Sequence, residues 1–139
     1  MIMLDSNVVI ALLTDRSPII RKRFKAAAAA QSPIAVSSIV VFELEYGIAK
    51  SNRKAANAEA LRGLIAYSLD VIAFDGGDAL ISGEIRAQLE ALGTPIGSWD
   101  IMIAGHALHH DATLVTANAR EFARVDGLKL ENWAAPGAP

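Results

Sequence analysis

Short apolar runs rich in branched side chains recur at Met1–Leu4, Ile34–Val36, Val71–Phe74 and Leu114–Thr116, with a candidate fifth at Leu128–Leu130. Each has strand length, and longer stretches with helical spacing separate them. The alternation predicts an α/β fold: a three-layer α/β/α domain whose central parallel sheet has four to five strands, with helices on both faces. Punctuation places the helices. Ser17-Pro18 reads as N-cap and first-turn proline ahead of Ile19–Ala30, and Ser37 or Ser38 caps a helix ending near Gly47 or Lys50. Ser51 or Asn52 starts the next, which runs to about Ser68. Gly77–Leu92 is strongly helical and stops at Gly93-Thr94-Pro95, and Ser98 caps a further helix through about His109. The alanine run Ala26–Ala30 favours helix and says nothing about function.

No Gly/Ser- or Pro-rich linker and no solenoid-length repeat divides the sequence, so a single domain over residues 1–139 is expected. The chain is 53% apolar with a mean hydropathy of +0.32, yet no apolar run approaches the roughly 20 residues of a membrane span. The surplus points to a thick core or a protein partner. The N-terminus lacks a basic n-region and a cleavable apolar stretch, and the chain has no cysteine, so a cytoplasmic protein with no membrane association is expected. A formal charge of −2 does not mark a nucleic-acid binder, and any such partner must meet local patches such as Arg21-Lys22-Arg23-Phe24-Lys25. That run reads more readily as a solvated helix face.

Three acids stand in apolar company: Asp5 after Met1–Leu4, Glu43 within Val40-Val41-Phe42-Glu43-Leu44, and Asp100 within Trp99-Asp100-Ile101-Met102-Ile103. In an open parallel sheet, ligands gather beyond the carboxyl ends of the strands. Asp5 follows the first strand, Glu43 lies in the helix after the second, and Asn118 follows the strand ending at Thr116. The helix preceding that strand brings in Asp100. Carboxylates drawn to one cleft repel one another and are costly to desolvate, so they call for a cation. Oxygen ligands without Cys or His suit Mg²⁺ or Mn²⁺, and phosphodiester hydrolysis is the reaction that best uses such a set.

The sequence resembles the PIN-domain ribonucleases, and among them the VapC and FitB-like toxins of bacterial toxin–antitoxin modules. The matching stretches are Leu4-Asp5-Ser6-Asn7-Val8-Val9, Ser37–Gly47, Gly93–Asp100, Leu114–Phe122 and Val125–Trp133, in order along nearly the whole chain. The resemblance implies a metal-dependent endoribonuclease toxin of a type II system. It puts Asp5, Glu43 and Asp100 on the family's three core acidic positions, as metal ligands. The family's fourth acid falls at Asn118 or Glu121. Because Asn118 is neutral, Glu121 takes that role and Asn118 becomes a hydrogen-bonding neighbour. Ser6 and Asn7 match positions that support the first Asp or a bound water. The segment Gly83-Glu84-Ile85-Arg86-Ala87 is also similar to the toxins and makes Arg86 a candidate RNA contact. A homodimer and a VapB-like antitoxin, often with a basic side chain entering the acidic cleft, are further implications.

Each residue also has an ordinary reading. Asp100 suits a helix N-terminus, Glu43 has Lys50 for a partner, Asp5-Ser6-Asn7 can cap a helix, Glu121 can pair with a nearby Arg, and Arg86 has Glu90 four residues on. His106 and His110 have the i, i+4 spacing of a zinc pair, but no third ligand follows at a motif-like spacing. They are therefore expected to face solvent or a partner. Trp99 and Trp133 are expected to be packing anchors. Two rival functions remain. One is a phosphatase or phosphotransferase with Asp5 as nucleophile, which normally needs a second acid where Asn7 stands. The other is a catalytically silent RNA- or protein-binding module.

Overall fold

A computed structural model describes residues 1–135; the last four residues of the expected 1–139 unit lie outside the described residues. Five strands, β1 (Ile2–Leu4), β2 (Ile34–Ser37), β3 (Asp70–Ile72), β4 (Thr113–Val115) and β5 (Lys129–Glu131), form one sheet in the order β3-β2-β1-β4-β5. Every neighbouring pair is parallel, with Met3 opposite Ala35 on one side and Leu114 on the other. The helices are α1 (Ser6–Leu13), α2 (Pro18–Ala29), α3 (Ser38–Ala49), α4 (Lys54–Ser68), α5 (Gly76–Ala91), α6 (Ser98–His109) and the single turn α7 (Ala119–Phe122). They complete the expected three-layer α/β/α arrangement. No described helix is long and apolar enough to cross a membrane.

The central strands are buried on both faces, as parallel strands under helices must be. Met3, Leu4, Val36, Leu114 and Val115 join Val9, Val40, Ile103 and Phe122 as fully buried side chains, each of which contributes roughly 1.5–3 kcal/mol by leaving water. Four helices, α1, α2, α5 and α6, close in the same way. A residue in the left-handed region follows the C-cap (Asp15, Gln31, Gly93, Asp111), and the next amide returns to a carbonyl five residues back. Only one of these four positions is glycine.

Several expected boundaries move, for identifiable reasons. The third strand ends at Ile72 rather than Phe74, because the Phe74 amide leaves the ladder and donates to Ser38 Oγ (3.0 Å). The following Asp75 and Asp78 then form a capping box that starts α5. Neither Ser51 nor Asn52 caps α4, which begins after Arg53 without a side-chain cap. Ser51 Oγ is engaged elsewhere, donating to Ile48 O at the end of α3 and accepting from Asn57. Ser98 is the first residue of α6 and not its cap; Gly97 holds the cap position through its carbonyl, which accepts from the Ile101 amide (3.0 Å). Helices α1 and α7 had no separate place in the sequence-based expectation.

Candidate active site

The sheet order reverses between β1 and β4, and in open parallel sheets the ligand crevice lies at that reversal, beyond the carboxyl ends of the two strands. Asp5 and Thr116 are the first residues past them. Asp5 is both a cap and a candidate site residue. Its Oδ1 accepts from the Ser6 amide (2.8 Å) at the start of α1, and its Oδ2 accepts from the buried Thr116 hydroxyl (2.8 Å). Only 6% of Asp5 is exposed. Thr116 Oγ1 in turn accepts from the Asn118 amide (2.9 Å), and Asn118 Nδ2 donates to Glu121 Oε2 (3.2 Å). A chain of polar contacts therefore runs from the tip of β1, through the loop after β4, to α7.

Glu43, one and a half turns into α3, and Asp100, in the first turn of α6, approach this chain from the other side. Burial, then the charges of Asp5 and Asp100, push Glu43 above the usual carboxyl range. Its Oε1 is buried without a hydrogen-bond partner. Asp100 is pushed up to about 6 by burial first, then by the charges of Asp5 and Glu121 and by a hydrogen bond with Glu121. Glu43 does not pair with Lys50, whose ammonium lies over the Tyr46 ring. Glu43 thus senses Asp5 and Asp100, and Asp100 senses Asp5 and Glu121; a cation among them would relieve both the repulsion and the orphaned Glu43 oxygen. The residues present fit a hard divalent ion with oxygen ligands.

Ser6 contributes its backbone amide to Asp5, whereas Asn7 stands exposed on the first turn of α1. Arg86 is exposed on α5 and pairs with Glu90 (3.1 Å). The basic run divides: Arg21 pairs with Asp15 (2.6 Å) and Arg23 donates to the carbonyls of Asn132 and Ala135, whereas Lys22 and Lys25 are exposed on the expected solvated face. Trp133 is the expected packing anchor, with Nε1 donating to Glu131. Trp99 is not an anchor; it is 44% exposed and stacks on the exposed Phe42, next to Asp100 and Glu43 in sequence.

Two things escaped sequence reasoning. Thr116 orients Asp5, although the sequence alone makes it the last strand residue; the available signal was a hydroxyl at the carboxyl end of an apolar run. The expectation that His106 faces solvent or a partner also fails. His106 is fully buried, T-stacked on Phe74, and its Nδ1 meets Ser37 Oγ at 2.8 Å. Burial, the largest influence on it, lowers its pKa. Asp78 is likewise buried; burial opposes its ionisation, but the Asp75 amide and the His109 ring outweigh this and hold its pKa below the usual range. Among the described residues, the groups of three ligand atoms within 4.8 Å of one another are Asp78–His106–His110 and Asp75–Asp78–His109, not the carboxylates of the crevice.

Residues 2–128 match the family model described as "PIN domain". The chain is 38% identical to the tRNA(fMet)-specific endonuclease VapC of Shigella flexneri, over 95% of this chain and 97% of the relative. It is 39% identical to ribonuclease VapC2 of Rickettsia felis, over 94% and 96%. Among solved structures, VapBC2 from Rickettsia felis, bound to a DNA fragment from its promoter, superposes with a TM-score of 0.87 at 38% identity, covering 96% of this chain and 99% of that one. The chain belongs to the PIN domain family, within its VapC group.

Proposed function

We propose that this chain is the endoribonuclease toxin of a type II toxin–antitoxin pair, a cytoplasmic enzyme working as one PIN-type unit over residues 1–139. It hydrolyses RNA phosphodiester bonds with Mg²⁺ or Mn²⁺ held by Asp5, Glu43 and Asp100, with Glu121 completing the site. The observation that carries this reading is the gathering of four carboxylates at the reversal point of the sheet, with Glu43 Oε1 buried and unpaired. When bound, the cation acidifies an attacking water and offsets charge on the leaving oxygen. The protein's own groups set the position. Thr116 holds the Asp5 carboxylate in one orientation, and Asn118 holds Glu121. Asp100 retains its proton further up the pH scale than an ordinary Asp and shares it with Glu121. Arg86, if freed from Glu90, supplies a cation for RNA phosphates. The phosphotransfer alternative gains no support, because the position where it needs a second acid is the neutral, exposed Asn7.

An antitoxin has a place to bind. An apolar groove of about 260 Å³, lined by Ile10, Leu13, Leu44 and Ile48, ends on Glu43. An amphipathic helix laid in it can extend a basic side chain to the acids. Exposed Tyr67, Leu80 and Leu92 offer apolar surface for a homodimer. The test is cleavage of RNA, transfer RNA included, by metal-stripped protein to which Mg²⁺ or Mn²⁺ is restored. Asp5→Asn, Glu43→Gln and Asp100→Asn should each lower the rate at least about a hundredfold. A folded triple variant that cuts at the wild-type rate would eliminate the site.

A further inference from the structure

We propose that the junction of α5 and α6 carries a second, chemically different metal site, of the zinc class, with Asp78, His106 and His110 as ligands. The groups come from two helices that Gly105 allows to approach closely: a Cβ there would lie 2.9 Å from the Cα of Ser82. Asp78 and His106 are both fully buried, an expensive placement for two ionisable side chains unless something binds them together. Asp78 is partly satisfied, since Oδ2 accepts from the Asp75 amide (2.9 Å) and Oδ1 faces His109 Nδ1 at 2.7 Å. His106 Nε2 is not. It is buried with no hydrogen-bond partner and points at Asp78 Oδ2 from 3.5 Å, too far for a hydrogen bond.

His110 Nε2 stands at the same 3.5 Å from the other oxygen of Asp78, and the ligand atoms of the three residues all lie within 4.8 Å of one another. With metal–ligand bonds of about 2.0–2.1 Å, the ligand atoms of a tetrahedral centre are about 3.3–3.4 Å apart. Each Asp–His spacing is therefore close to a tetrahedral edge for the oxygen it involves, Oδ2 for His106 and Oδ1 for His110, and a turn of the carboxylate brings one oxygen to both rings. The remaining nitrogen of His106 is held by Ser37 Oγ, which itself caps α3. With Nδ1–H donated to that hydroxyl, the ring directs its Nε2 lone pair towards Asp78, the arrangement in which an outer partner orients a metal-bound imidazole. His109 buttresses the carboxylate from outside, and its side chain, like that of His110, is partly exposed, which leaves a path from solvent and a position for water. Two imidazoles and one carboxylate favour Zn²⁺ over Mg²⁺. This centre is separate from the carboxylate crevice: Asp100 opens α6 and His106 lies six residues on, about 9 Å along the axis.

The experiment titrates untagged, metal-stripped full-length protein with Co²⁺ in excess Mg²⁺, reading the visible d–d bands, and then displaces Co²⁺ with Zn²⁺. Wild type should take up about one Co²⁺ per chain with bands of low-coordinate geometry, lose them to Zn²⁺ but not to Mg²⁺, and melt at a higher temperature with Zn²⁺. His110→Ala, at a partly exposed position, and Asp78→Asn should each weaken binding more than about tenfold. Asp100→Asn should keep the bands. If Asp78→Asn does not fold, His110→Ala decides. Absence of the bands in wild type, their persistence in His110→Ala, or their loss in Asp100→Asn would overturn the proposal.

Discussion

Asp100→Asn separates a strained carboxylate in a shared site from an ordinary acid at a helix N-terminus. Burial and the charges of Asp5 and Glu121 move this group from 3.8 to about 6 in the folded chain. The unfolded chain keeps the ordinary value, so the folded state holds the proton more tightly. The stability tied to this raised pKa is fully present below about pH 3.8, is lost as the pH climbs to about 6, and does not return above that. The full difference corresponds to at most roughly 3 kcal/mol. Solvent screening at a half-buried group reduces it to about 1 kcal/mol. The Asn amide keeps the shape and can still donate to Glu121, while the charge is gone. In EDTA at pH 8 the variant should be at least as stable as wild type, by up to about 1 kcal/mol or about 3–4 °C in Tm. The advantage should shrink below pH 6. A helix-dipole Asp would instead lose roughly 0.3–1 kcal/mol on the same change. Mn²⁺ at about a hundred times its Kd should stabilise wild type by roughly 2.7 kcal/mol and the variant far less. Thermal melts across pH, with and without metal, provide the measurement. A variant less stable than wild type at pH 8 without metal, together with a wild type indifferent to Mn²⁺, would refute the shared-site reasoning.

Thr116→Val keeps the shape but removes the donor to Asp5 and the acceptor for the Asn118 amide; urea titration should show a loss of about 1–3 kcal/mol, and RNA cleavage should fall about tenfold or more. Gly105→Ala should destabilise by about 1–3 kcal/mol in thermal melts, because its Cβ meets the Ser82 backbone, whereas Gly83→Ala, with open space around it, should gain up to about 1 kcal/mol. Gln31 holds φ 59° without being glycine, so Gln31→Gly should stabilise by about 0.5–1 kcal/mol once the extra freedom of the unfolded glycine is offset; a loss would show that the Gln side chain contributes more than its backbone strain costs.

Local patterns carried the architecture. Five branched apolar runs separated by helix-length segments admit few arrangements other than a parallel sheet under helices, and the strands lie where the runs are, within two residues at either end. The cap at Ser17 was legible because Pro18 marks the first turn beside it, and the cap of α3 was narrowed to Ser37 or Ser38, of which the structure uses Ser37. The caps at Ser51 and Ser98 were misread because a serine can bond in several directions, and only the packed chain decided that Ser51 closes α3 instead of opening α4. The acids of the crevice were readable one by one, since a carboxylate in an apolar run is expensive wherever the chain folds. Their repulsion was expected from their places relative to the strands, but which of them carries it was not, because the shift of Asp100 to about 6 depends on how β1, α3, α6 and α7 converge at the reversal point of the sheet. The α5–α6 cluster makes the same distinction more sharply. His106 and His110 form a visible pair along one helix, but Asp78 lies 28 residues before His106, at a distance that local spacing cannot encode. Its position against the two rings was decided by the close contact at Gly105 and by the capping box that turns the Asp78 carboxylate inward, both products of how the helices pack.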